Sequence, residues 1–355
     1  MPRKSRNPTE EVKATAKNGK TRISLRELAE HLGLSPTALS FVLNDAPAAS
    51  SIPQETKDRI FAAAAEFNYR PNYFARSLRA QRSFTFGVLI PEVSDGYSSM
   101  VLSGIENALS QNDYFHFSAS HRHRDKLISE YIDLFIERGV EGIIAVDTVL
   151  KTTTQLPIVT VSGHDGGENI TNVVLNHYRA AEIAFGHLIE SNHRRIAFIK
   201  GQQFSSDTDV RWKSICKVAA RNNIEINPEL VAQLEGDTPS PEPGFVATKK
   251  ILAARKQFTA LFAFNDISAI GAIRALQESG LRVPEDVSVL GFDDIYYSAF
   301  HNPTLTTIRQ PLFEMGKLAA QTLLKRTSGK TDGDDAAKEI LVEPELVIRK
   351  STRKI

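Results

Sequence analysis

Three stretches of the 355-residue chain hold side chains of bond-breaking types, and none is spaced to use them. Ser162, Gly163, His164 and Asp165 bring the residue types of a nucleophilic relay. Side-by-side residues cannot form such a relay, and no Gly-x-Ser-x-Gly elbow is present. Gly329-Lys330-Thr331 ends like a phosphate-cradling loop, but Leu324 stands where the first glycine is needed. His121 and His123 are two apart, which on a helix sends them to different faces, and no Cys or acidic ligand completes a metal set. The only cysteine, Cys216, removes disulfide frameworks and multi-cysteine zinc sites, and it fits a reducing cytoplasm. Trp212 could cover a cleft, with helix packing its expected role. No catalytic residue, metal or cofactor is expected, and an enzyme is the weak reading.

Charge points elsewhere. The net balance of +1 hides an asymmetry: residues 1–82 hold 14 Lys and Arg against 8 Asp and Glu, and the remainder 29 against 34. A basic head on an acidic body is the electrostatic footprint of a chain that presents one end to nucleic acid. The apolar fraction of 41% and charged fraction of 24% are those of a globular protein. No apolar run reaches the length of a membrane span, and no apolar stretch follows Arg3, Lys4 and Arg6 as a secretory signal would require. A cytoplasmic protein without a membrane partner is expected.

The elements that must position any site fall into two textures. Residues 1–21 are too polar to offset the entropy of ordering and read as a disordered basic extension. Ser24-Leu25-Arg26-Glu27 spells a capping box opening a short helix that Gly33 ends; Ser35 then caps a second helix beginning at Pro36. A third helix fits 53–68, with Ile60, Ala64 and Phe67 at i, i+4 and i+7. Two short helices across a tight Gly-containing turn, closed by a third, make a helix-turn-helix bundle. From Phe84 onward strand candidates alternate with amphipathic helices in two series, the pattern of α/β lobes built on doubly wound parallel sheets. In such sheets ligands sit beyond the carboxyl ends of the strands, here facing one another across a cleft.

Leu28-Ala29-Glu30-His31-Leu32-Gly33-Leu34-Ser35, Tyr69-Arg70-Pro71-Asn72 and Ala75-Arg76-Ser77-Leu78-Arg79 follow one another in order. So do Gly87-Val88-Leu89-Ile90-Pro91, Val283-Pro284-Glu285-Asp286-Val287, Gly291-Phe292-Asp293-Asp294 and Pro303-Thr304-Leu305-Thr306-Thr307. Together they resemble the LacI/GalR family of bacterial repressors over nearly the whole chain after residue 21. The resemblance implies an all-α helix-turn-helix domain at 22–70, a hinge at 71–82, and a periplasmic-binding-protein-like core at 83–355. Its first lobe would hold 83–161 and 308–330, its second 162–307 and 331–355. A periplasmic-type binding protein would share that core, but not the DNA-reading head.

The resemblance also implies site residues. Pro36, Thr37 and Phe41 would face base edges in the major groove, with Ala38 beside them on the recognition helix, while Ser40 and Asn44 would hold phosphates. The family usually carries Arg at the position of Phe41, so the usual bidentate grip on guanine is missing and a thymine methyl becomes the natural partner. Asn72, Ala75 and Leu78 would form a hinge helix on DNA, with Leu78 wedged into the minor groove. Tyr97, Asp147, Ser162, Arg211, Asn265 and Asp293 would line an effector cleft. Ser162 and Asn176 stand where the family has Asp, and near Asp237 a Pro-rich loop replaces an aromatic, so the cleft is expected to have lost two carboxylates. The expected partners are a pseudo-palindromic double-stranded operator, a small molecule of carbohydrate type, and a second copy of the chain. The chain ends soon after Leu346–Arg349 without a heptad repeat, so a homodimer is expected rather than a tetramer.

Overall fold

The computed structural model describes residues 23–44, 46–70, 77, 81–94, 96–151, 154–163, 167, 169–328 and 338–355. The extension 1–21, the hinge residues Asn72, Ala75 and Leu78, and His164, Asp165 and Gly329-Lys330-Thr331 lie outside the described residues. The chain divides into two compact units, Met1–Arg82 and Ser83–Ile355.

In the first unit the cap signals of the sequence act as read. The helix α1 (Leu25–Leu32) starts where the Ser24 hydroxyl accepts from the Glu27 amide and the Glu27 carboxylate accepts from the Ser24 amide. Gly33 ends it at φ +66°, a left-handed conformation that a Cβ disfavours. Helix α2 (Pro36–Leu43) is capped by Ser35, whose hydroxyl accepts from the Ala38 amide, and α3 (Gln54–Glu66) follows. Leu28, Leu39 and Ile60 are fully buried at the centre of the three helices, with Ala29, Val42 and Ala63 around them.

The second unit contains two six-stranded sheets. The first has the order β11-β5-β4-β3-β1-β2 and is parallel throughout; its strands are β1 (Thr85–Ile90), β2 (Phe115–Ser120), β3 (Ile143–Val146), β4 (Ile158–Val161), β5 (Ile170–Leu175) and β11 (Glu339–Val342). The second has the order β12-β10-β9-β8-β6-β7, with β6 (Ile196–Lys200), β7 (Val231–Gln233), β8 (Ala260–Phe262), β9 (Ser288–Asp293), β10 (Thr306–Arg309) and an antiparallel β12 (Glu345–Val347). Helices α4 (Gly96–Ser110) and α10 (Leu312–Thr327) cover one face of the first sheet, and α5 (Asp125–Glu137) covers the other. Helices α6 (His177–Glu190) and α7 (Asp207–Arg221) cover one face of the second sheet; α8 (Glu242–Ala253) and α9 (Asp266–Glu278) cover the other.

The lobe boundaries expected from the sequence need correction. The first crossing comes after Leu175, not at Ser162, because β5 pairs in parallel with β4, Val173 against Val161. Residues 339–342 belong to the first lobe, since β11 pairs with β5. The chain therefore crosses after β5, between β10 and α10, and between β11 and β12. Strand–helix alternation is the same on both sides of a crossing and does not say which sheet a strand joins.

Each lobe owes its tightest helix pair to glycines in reciprocal positions. A Cβ on Gly104 would run into the Phe313 carbonyl oxygen, and one on Gly316 into that of Val101, so α4 and α10 touch backbone to backbone. Gly244 and Gly271 play the same part between α8 and α9, against the carbonyl oxygens of Ser268 and Pro241. Backbone atoms in two packed helices cannot move aside singly. Gly104→Ala is therefore expected to destabilise the 83–355 unit by about 1–3 kcal/mol, the usual cost of overpacking, and to leave unfolding of the 23–70 bundle unchanged. Separate denaturation transitions measured by urea titration check this.

Candidate functional site

The carboxyl ends of both sheets supply the walls of one cleft. Asp147 follows β3, Ser162 follows β4, Asn265 lies just beyond β8 and Asp293 closes β9. Tyr97 stands in the first turn of α4 and Arg211 in the second turn of α7. All but Ser162 line the cleft directly, and Ser162 stands behind Tyr97, whose hydroxyl donates to the Ser162 hydroxyl at 2.7 Å. Asp147, Ser162 and Asp293 hold positive φ of 41°, 54° and 112°. Left-handed backbone in side-chain-bearing residues is costly and gathers at functional sites.

A clasp joins the two lobes. The loop between β6 and α7 reaches across from the second lobe, and Asp147 Oδ1 accepts from the Ser206 amide at 3.0 Å, the Ser206 hydroxyl at 2.7 Å and the Ser205 hydroxyl at 3.2 Å. The Ser206 hydroxyl also donates to the Ser162 carbonyl. Ser206 is the N-cap of α7 and has no side-chain cap of its own, so a carboxylate from the opposite lobe takes that position. Burial first, and then the neighbouring Asp207, push the Asp147 carboxyl up to about 6.

Beneath the clasp lies a buried charged chain. Asp207 Oδ1 is 3.0 Å from His177 Nε2, and Asp207 Oδ2 accepts from Arg211 at 3.1 Å. The Arg211 guanidinium also donates to the Phe264 carbonyl at 2.6 Å and sits between the rings of Phe264 and Phe292, at 4.4 and 3.7 Å from their centroids. Its Nε has no acceptor among the described residues. Asp293 accepts from Gln310 Nε2 at 2.7 Å, and burial pushes its carboxyl well above the usual range against the pull of Arg211. Asp266, at the start of α9, accepts from the Ile295 amide and the Ser298 and Thr307 hydroxyls, fixing the segment that follows Asp293. Burial raises it to about 7 despite those three donors.

At the mouth, the His123 ring of the first lobe stacks on Phe204 of the second, with centroids 3.8 Å apart. Burial lowers His123 to about 4, keeping it neutral at pH 7. His121 turns away to pair with Thr148 at 2.8 Å, and Trp212 packs edge-on against Phe198.

Although Ser162 and Asn176 bring no carboxylate, the cleft has carboxylates from other positions. Glu92, Asp147, Asp207, Asp237 and Asp293 all line it. Asn176 caps α6 instead, accepting from the Arg179 amide, and is not among the lining residues. The sequence reading missed Asp207, Phe204, Ser206 and His123. Asp207 was within reach as the i−4 partner of Arg211; the stack of His123 on Phe204 spans residues far apart in the chain and leaves no sequence signal.

On the head, Pro36, Thr37 and Asn44 are exposed, while Ala38 and Phe41 are half-buried. Thr37, Phe41 and Asn44 follow the i, i+4, i+7 spacing of one helix face. Two expectations shift. Ser40 is buried, at 6% exposure, and its hydroxyl accepts from Asn44 Nδ2, which places it under the outer face rather than on it. Phe41 packs in part against the cluster that includes Leu28 and Ile60, so only part of its ring is presented outward.

Comparison with known proteins matches both units. Residues 24–72 fit the model of bacterial regulatory proteins of the lacI family, and residues 185–352 that of a periplasmic binding protein-like domain. An HTH-type transcriptional repressor PurR of Haemophilus influenzae is 31% identical over 342 residues, covering 94% of this chain and 99% of that protein. The repressor of the same name from Aliivibrio fischeri is 32% identical over 338 residues, covering 92% and 98%. A lac repressor dimer bound to operator and the anti-inducer ONPF superposes with a TM-score of 0.83 at 27% identity, over 94% of this chain and all of that one. A lacI-family regulator of Enterococcus faecium with bound ribose gives 0.66 at 25% identity, over 76% and 99%.

The clasp predicts a pH signature. A carboxyl raised from 3.8 to about 6 holds its proton more tightly in the folded core than in the open chain. Its contribution to stability is complete below the unfolded value and is lost as pH rises through about 6. Asp147→Asn, which keeps an acceptor but cannot ionise, is expected to melt higher than the parent at pH 7.5, with the gap closing as pH falls toward 4. Thermal unfolding of both proteins across that range measures it.

Proposed function

Because the chain belongs to the lacI family of bacterial regulatory proteins, we propose that it is a repressor that grips a pseudo-palindromic operator as a homodimer and is controlled by a small molecule held between its two lobes. It is a DNA-binding transcriptional regulator, as its relatives are, and they are repressors rather than enzymes. Among the described residues no helix is long and apolar enough to cross a membrane, and binding to bacterial DNA calls for a cytoplasmic protein. One observation carries the reading: a helix-turn-helix whose outer face is Pro36, Thr37, Phe41 and Asn44 shares a chain with a cleft walled by both lobes. A ligand touching both walls changes the balance between lobe arrangements by its differential affinity, which is what control requires.

The hinge residues Asn72, Ala75 and Leu78 complete the DNA-binding set on sequence grounds, with Leu78 as the minor-groove wedge. In the cleft Tyr97, Asp147, Arg211, Asn265 and Asp293 are the effector residues, with Ser162 supporting Tyr97. The effector class expected is carbohydrate, in keeping with the ribose-bound relative. The domain plan that follows is a reading head at 22–70, a hinge at 71–82 and a sensing core beyond it.

Dimerisation has its own support on the core. Phe115 and Phe117 are exposed on β2, an edge strand, at 63% and 41%. Tyr296, Tyr297 and Phe300 are exposed at 73%, 66% and 87% in the segment after Asp293. Clusters of exposed aromatic residues mark association surfaces, and a second copy of the chain is the occupant proposed here. Phe117→Asp combined with Phe300→Asp is expected to sediment as a monomer where the parent is a dimer; a stable tetramer in the parent counts against the assignment.

Selection of binding sites from random DNA tests the function itself. The parent should enrich a two-fold half-site without a required guanine opposite residue 41, and its affinity should fall steeply with salt as phosphate contacts release counterions. Phe41→Arg should move preference toward guanine at that one pair, by about the 1–3 kcal/mol that a single mismatch costs. It should also lower the melting point of the head, because the ring leaves the Leu28 cluster. Enrichment of no sequence contradicts the regulator; an essential guanine at that position in the parent contradicts the role given to Phe41.

A further inference from the structure

A second opening lies on the first lobe, between the edge strand β2 and the helix α5 that follows it. It is a groove of about 670 Å³ whose walls include Phe117, Arg122, Arg124, Leu127, Tyr131 and Arg138. No Asp or Glu is among its lining residues. All three arginines are exposed, and none makes an ion pair among the described residues. The acidic side chains of α5 do not answer them. Asp125 pairs with Lys151 and Glu130 with Lys126, while Asp133 and Glu137 reach no arginine of the groove among the described residues.

The turn between β2 and α5 sorts its side chains between two places. Arg122 and His123 both hold left-handed backbone, at φ 50° and 54°. The His123 ring goes to the mouth of the cleft, and the arginines on either side of it line the groove. Arg124 is the N-cap of α5 and gives that helix no side-chain acceptor. A helix N-terminus favours negative charge beside it, and here two cations stand there instead. Arg138 follows the last turn, so both ends of the groove are positive.

Strand β2 also carries Phe115 and Phe117 of the proposed association surface. An isologous contact presents the same patch twice. Whether two copies of α5 run parallel or antiparallel across it, an arginine-bearing end meets another. Like charges there oppose the contact that the aromatic rings favour. A guanidinium fork matches the oxygens of phosphate, and a phosphate dianion would turn that opposition into a bridge.

We propose that the groove binds a phosphate-bearing small molecule and that this binding strengthens the homodimer by neutralising arginines at its contact. This rests on β2 being the face that meets the second copy, and it names a ligand site outside the cleft.

The test is sedimentation equilibrium of the full chain without DNA, with phosphate exchanged for chloride at constant ionic strength. Millimolar phosphate should tighten the dimer by roughly tenfold, the gain from a ligand at about ten times its dissociation constant. Arg122→Gln combined with Arg124→Gln changes exposed side chains only, and thermal unfolding confirms that the variant folds. In chloride that variant should dimerise more tightly than the parent, because repulsion is relieved, and phosphate should no longer affect it. Arginines with a merely structural role would give a weaker dimer when replaced, and that result overturns the inference. Adenosine 5′-monophosphate acting at lower concentration than inorganic phosphate, with adenosine inert, identifies a metabolite whose body lies on Leu127 and Tyr131. Equal effect of the two identifies free phosphate. A parent dimer whose strength ignores phosphate overturns the inference and leaves the dimer standing, and so does a variant that responds as the parent does. A parent that stays monomeric at every phosphate concentration rejects the dimer as well.

Discussion

A carboxylate on one lobe caps a helix on the other, and the geometry of the core turns on that contact. The first turn of α7 needs an acceptor for the Ser206 amide, and the acceptor is Asp147, carried at the end of β3 in the opposite lobe. A helix N-terminus satisfied across a cleft couples two rigid bodies through a charge-assisted hydrogen bond that each lobe lacks alone. Neighbouring residues add further links between the lobes: Ser206 to the Ser162 carbonyl, and Phe204 stacked on His123. A change in the angle between the lobes would have to break or rebuild these contacts together.

The buried chain of His177, Asp207 and Arg211 explains why the loop beyond β6 is held in place. A guanidinium at 4% exposure is tolerable only when its charge is met, and Asp207 meets it from one turn away on the same helix. The flanking rings of Phe264 and Phe292 replace part of the lost hydration. Asp266 performs a related task on the far wall, tying the backbone after Asp293 to β10 through Thr307. Asp293 faces the cleft, and the exposed Tyr296, Tyr297 and Phe300 follow within a few residues. The proposed effector site and the proposed association surface are thus joined by one short segment with left-handed backbone, Asp293 at φ +112° and Asp294 at +58°.

The head follows a simpler logic. Its helices are too short to persist alone, and a small core led by Leu28, Leu39 and Ile60 holds them. The side chains left outside are therefore the ones that the turn between α1 and α2 presents. Phe41 straddles the boundary, packed in part against that core and in part exposed.

What the sequence determined by itself is whatever short-range chemistry dictates. The capping box at Ser24, the left-handed stop at Gly33 and the cap at Ser35 are local hydrogen-bond and torsional facts, and α1 and α2 start and stop where those residues say. Apolar strands alternating with amphipathic helices fixed an α/β core, and motif order identified the family and pointed to Arg211, Asp293, Asn265, Asp147 and Tyr97 as cleft residues, which they are. Tertiary structure decided the rest. Which sheet β5 and β11 join depends on pairing between distant strands, and periodicity is identical for either choice. Whether Ser40 faces outward depends on where its helix rolls against α3. The electrostatics of the cleft were also beyond the sequence, because Glu92, Asp207 and Asp237 become neighbours of Asp147 and Asp293 only when two lobes meet. Charge acts through space, and the distances through which it acts are set by the fold.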